Sequence, residues 1–119
     1  MRASTIRVPV NEDGLNMLME DGYFPEPGKD CDDIQIFQLP NNYEMLPLYK
    51  ALDDNLGTEL LGDYTFGDII MPNQLADAIK ITKQFRKNAD KDIKQQTKII
   101  LTAFSFALEI GMPADIDLI

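Results

Sequence analysis

Three glycines stand five residues apart in NLGTELLGDYTFGDII (residues 55–70), at positions 57, 62 and 67. The spacing Gly57-x-x-x-x-Gly62 is the opening of a loop that cradles phosphates with its backbone amides. That chemistry also needs a lysine and then a hydroxyl directly after the second glycine, one to meet the phosphate charge and the other to hold magnesium. Asp63 and Tyr64 occupy those places, and Glu59, Asp63 and Asp68 surround the segment with negative charge. A triphosphate would be repelled, so the glycines read as punctuation. Gly57 ends a helix, Gly62 permits a turn, and Gly67 is the first central residue of a tight hairpin turn within 64–71.

Other candidate chemistry is thin. The chain contains no histidine, which removes the usual general base and the usual transition-metal ligand. Of its two serines, Ser4 and Ser105, the second falls on the polar edge of an apolar helix with no base in sight. Cys31 sits in KDCDD, where Asp30, Asp32 and Asp33 oppose a thiolate and only Lys29 favours one. The same three aspartates offer oxygen to a hard cation. They miss the calcium-loop template, because Ile34, Gln35 and Asn41 stand where an acid, a glycine and a glutamate belong. The expectation is no cofactor, no metal and no catalytic residue, and a solvated acidic loop at 30–33.

The 119 residues fit one domain, and 45% hydrophobic with 26% charged residues is an ordinary globular composition. A lone cysteine rules out an intrachain disulfide and suits a reducing compartment. MRASTIRVPV has no signal-peptide pattern. The longest apolar run, 99–112, carries Glu109 and is shorter than the roughly 20 residues that a membrane span needs. A soluble cytoplasmic protein is expected, with no membrane contact.

Charge is the uneven feature. The net is −9 overall, with 11 basic against 20 acidic side chains. Residues 1–79 carry a net of −11, whereas 80–98, with Lys80, Lys83, Arg86, Lys87, Lys91, Lys94 and Lys98, carry +5. Such an acidic chain disfavours nucleic acid and anionic membranes and favours basic partners. The basic stretch reads first as a solvated face with lysine stems over apolar surface, next as a protein-contact surface matched to the chain's own acidic half or to another copy, and last as a nucleic-acid contact, which the acidic remainder opposes.

The elements that position these residues follow from pattern and caps. STIRVPV alternates as a strand, with Pro9 at an edge or at the strand's end. Asn11 caps a helix over about 12–21. IQIFQL (34–39) is a second strand. A helix over 46–56 carries Pro47 in its first turn and Gly57 at its end. Helices over 74–88 and 91–110 form a hairpin, the second capped by Asp90 and stopped by Gly111 and Pro113. The tail ADIDLI alternates, as a final strand or a loose end. The expected fold is α+β, about four helices with a C-terminal helical hairpin packed on a small antiparallel sheet. Its core would hold Ile6, Val8, Leu15, Leu18, Ile36, Leu52, Ile79, Phe85, Ile100, Phe104 and Leu108. The wide apolar arc of the last helix marks a core helix, or in part a homodimer face.

The expected function is a non-enzymatic protein-binding module. Glu26, Asp30, Asp32 and Asp33 would steer a basic protein partner, and Lys83, Lys87, Lys91 and Lys94 would form a second contact surface. In composition alone the chain is similar to bacterial immunity or inhibitor proteins that neutralise basic toxins. The alternatives are a homo-oligomer docking through the C-terminal helix and an enzyme working with carboxylates.

Overall fold

In β1 (Ser4–Pro9), Ile6 and Val8 alternate with Thr5 and Arg7, and two strands flank it. The computed structural model describes residues 4–20, 32–39, 43–61 and 67–118. Along the chain follow α1 (Glu12–Met19), β2 (Ile34–Leu39), α2 (Leu46–Leu56), β3 (Gly67–Ile70), α3 (Leu75–Lys87), α4 (Lys91–Ile110) and β4 (Ala114–Asp117). The strands form one antiparallel sheet in the order β2-β1-β4-β3, with Arg7 opposite Ile36 on one side and Asp115 on the other. The fold is α+β, with the α3/α4 hairpin packed on the sheet.

Local chemistry sets the helix limits. The Asn11 side chain accepts from the Gly14 amide at 2.8 Å, and the Asp90 carboxylate accepts from the Ile93 amide at 3.0 Å. Both bonds satisfy amides that a helix start leaves without a partner. Gly57 and Gly111 close α2 and α4 at a φ of 71°, a left-handed conformation that costs glycine least. α1 ends at Met19, shorter than its pattern suggests, and α3 begins after a short 3-10 turn at Pro72–Gln74.

The core lies between the sheet and the α2–α3–α4 layer. Phe104, Ile6, Leu48, Leu52, Leu60, Ile70, Leu75, Ile100 and Ile116 are all but sealed from solvent. On α4 the buried stripe is Ile93, Thr97, Ile100, Ala103, Phe104 and Ala107, and the polar stripe from Lys91 to Glu109 is exposed throughout. The buried hydroxyls of Thr82 and Thr97 donate to carbonyls one turn back, so neither is left unsatisfied.

The ADID segment is the final strand, and it lies inside the sheet, between β1 and β3. Pro9 stands at its strand's end, and β1 is an interior strand. Three expectations need correction. Gly67 and Asp68 are strand residues paired with Asp117 and Ile116, not a hairpin turn. Gly67 is needed there because a Cβ would collide with the Ile116 carbonyl oxygen. Leu108, expected inside, is 43% exposed, since one residue past buried Ala107 turns it about 100° away from the core. Leu15, Ile36, Ile79 and Phe85 are half-buried rather than central. Residues 64–66, Gly22, Gly62 and Cys31 lie outside the described residues.

Candidate functional site

The loop after α2 uses its own carboxylates as ligands. Asp53 accepts from the Leu60 amide at 2.8 Å, the Leu61 amide at 3.0 Å and the Thr58 hydroxyl at 2.6 Å. Asp68 accepts from the Glu59 amide at 2.8 Å. Three consecutive amides behind Gly57, the groups a phosphate would require, are therefore already engaged. Internal anions hold the loop and take up these three donors before any external anion could.

The acidic site residues separate into three situations. Glu26 and Asp30 lie outside the described residues. Asp32 is exposed. Asp33 is structural: its carboxylate accepts from the Asn11 side chain at 2.8 Å, and its carbonyl accepts from the Val10 amide at 2.9 Å. Gly14 makes this approach possible, because a Cβ there would collide with the Asp33 carbonyl oxygen. The two bonds tie the start of β2 to the β1–α1 corner. They bring the segment that carries exposed Asp32 to the corner that carries exposed Val10, Glu12 and Asp13.

The basic site residues converge in part. A groove of about 410 Å³ between α3 and α4 is lined by Lys83, Arg86, Lys87, Lys94 and Leu101. Arg86 Nε donates to the Lys94 carbonyl oxygen at 3.3 Å, which fixes the guanidinium across the hairpin. Lys91 is exposed but does not line the groove. Arg86 was not among the residues expected here; its place one position before Lys87, on the helix side facing α4, is the signal that would have found it. Among the described residues no ion pair involves any of the four cations. A second groove of about 410 Å³ continues along α4, lined by Lys98, Leu101, Thr102, Ser105, Phe106 and Glu109. Leu101 belongs to both.

Topology sets these two charged regions apart. α4 runs through a three-residue link into β4, whose Asp115 pairs with Arg7 near the Pro9 end of β1. The C-terminal end of α4 is therefore on the side of the acidic corner. The cationic groove begins near the other end of a helix roughly 30 Å long.

A third charged group is internal. Arg7 is 5% exposed and Asp115 7%, and Arg7 Nη1 lies 3.7 Å from Asp115 and 3.5 Å from Asp117. Burial pushes the Asp115 carboxyl up to about 6, against the pull of Arg7, with Asp117 and Asp68 adding to the rise. Thr5, on the same face of β1, buries a hydroxyl that makes no hydrogen bond. Burial also pushes the Tyr49 hydroxyl up to about 12, which keeps it neutral. Sequence reasoning missed the Arg7 cluster, although an arginine alternating into one strand and an Asp-x-Asp alternating into another are its visible halves.

No helix among the described residues is long and apolar enough to cross a membrane. The chain matches no family model, no curated protein and no solved structure.

Proposed function

We propose that the protein is a non-enzymatic protein-binding module of inhibitor or immunity type, whose acidic corner holds a basic partner. The observation that carries this reading is the pinned corner itself. The Asn11–Asp33 bond fastens the segment of exposed Asp32 to the corner that carries exposed Val10, Glu12 and Asp13. The net charge of −9 draws a basic macromolecule toward the chain. Carboxylates on a corner that also exposes an apolar residue then favour a specific contact over a merely attractive one. The residue inventory agrees, since a chain without histidine has few ways to move protons. A reducing compartment such as the cytoplasm suits the single cysteine.

Capture of partners by the tagged full chain from a lysate of the source cell, at low and then rising salt, is the test. The expected result is a basic protein that is released as salt rises. Its purified form should associate about tenfold more slowly with the Glu12→Gln/Asp13→Asn/Asp32→Asn variant. Retention of neutral or acidic proteins only, or binding indifferent to the three neutralisations, overturns the reading.

A homo-oligomer docking through α4 is the second reading. Leu108 and Ile110, 43% and 37% exposed near the end of that helix, favour it. Light scattering that shows a monomer at high concentration removes it.

A further inference from the structure

We propose that the α3/α4 hairpin carries a second docking site, whose cationic start lies toward the other end of α4 from the acidic corner, and which receives an acidic peptide segment of a partner protein in one fixed direction. Lys83, Arg86, Lys87 and Lys94 converge on one groove, and none of them is neutralised by an ion pair of the described residues. A solvated stripe of lysines spreads its charges apart. Here two helices bring theirs to a single concavity, and Arg86 is held there by its bond to the Lys94 carbonyl.

The groove does not end at the cations. Leu101 is shared with the next groove, so the track runs on past Lys98 to Phe106 and finishes at Glu109. From Lys94 to Glu109 the helix rises roughly 22 Å. Along that length the surface changes from strongly positive, through the half-buried Leu101 and Phe106, to a single carboxylate. The complementary segment carries carboxylates at one end, a large apolar side chain about two helical turns further on, and no acid at its far end. The reverse orientation would put the acids against Glu109 and leave the four cations unmatched. A nucleic-acid strand meets the cations equally well but repeats its phosphates along the whole track, past the apolar step and onto Glu109.

Fluorescence anisotropy with the full chain tests this. The probe is a labelled peptide of about 15 residues, glutamates in its first half and leucine and phenylalanine in its second. Binding at about 50 mM salt is expected, weakening as salt rises. It should weaken by about tenfold or more in Lys83→Glu/Lys87→Glu/Lys94→Glu, and by about threefold or more in Leu101→Ser or with serine in place of the probe's apolar residues. The Glu12→Gln/Asp13→Asn/Asp32→Asn variant should bind the probe unchanged, which separates this site from the acidic corner. The three lysines are exposed and Leu101 is half-buried, and circular dichroism confirms that each variant is folded before it is compared. Three results overturn the proposal: no binding of the probe, affinity unmoved by the lysine reversals or by Leu101→Ser, or equal affinity for single-stranded oligothymidylate. Self-association of the free chain that those lysine reversals abolish would assign the groove to a second copy, and overturns it too.

Discussion

β1 buries both of its faces by different means. Ile6 and Val8 enter the apolar core cluster beneath α4, among hydrophobic side chains. One residue along, Arg7 turns to the opposite face and is no less hidden, but what it meets there is Asp115 and Asp117. The first face is held by the transfer of hydrocarbon from water, a force that needs no direction and no particular protonation state. The second depends on charges taken out of water and matched to one another, so it fails when a partner is lost and responds to protons. Equal burial therefore conceals unequal sensitivity.

The comparison can be broken most forcefully on the apolar side. Phe104→Ala, at a fully buried position, should cost about 3–5 kcal/mol in denaturant unfolding, at any pH where the protein is folded. Arg7→Met should cost almost as much, roughly 3 kcal/mol, because it strands the Asp115 carboxylate. The double variant Arg7→Met/Asp115→Leu should recover most of that loss, whereas no second substitution of comparable size refills the Phe104 cavity. If the double variant is as unstable as the single, the polar face is held by packing and the contrast disappears.

Protons sharpen the same contrast. With the Asp115 carboxyl near 6 in the folded chain and near 3.9 when unfolded, the native state binds the extra proton between those values. Stability should then rise as pH falls from 7 to 5, by about 1 kcal/mol relative to Asp115→Asn. Urea titrations of both proteins at the two pH values measure the difference, and equal slopes would show that Asp115 is not desolvated. The smallest effect belongs to neither face: Leu108→Ala, on the exposed side of α4, should change stability by less than about 0.5 kcal/mol.

The same division explains what could be read from sequence. α4 was legible to the residue, since Asp90, Gly111 and a stripe at helical spacing are local signals. α2 was legible through Pro47 and Gly57. The place of β4 was not, because a four-residue acidic strand carries no mark of what will flank it, and its pairing with β1 joins residues more than a hundred positions apart. Gly67 was misread for a related reason: a glycine admitted by a close carbonyl looks, in sequence, like a glycine that turns the chain. Of the basic residues, Lys83, Lys87 and Lys94 come together as their spacing implied, and Lys91 does not. The rotation of α3 against α4 decides that, and core packing sets it. Of the acidic set, Asp33 also serves as a fastening, which its sequence neighbours do not reveal, because Asn11 lies within reach of it in space only.

The interior position of β4 bears on biosynthesis. Until the segment after α4 has left the ribosome, β1 and β3 have no strand to separate them, and β1 shows a bare rim of amides and carbonyls to other nascent chains. Final assembly waits for segment 114–117 to slide between them, a long-range closure that favours slow maturation over stepwise growth.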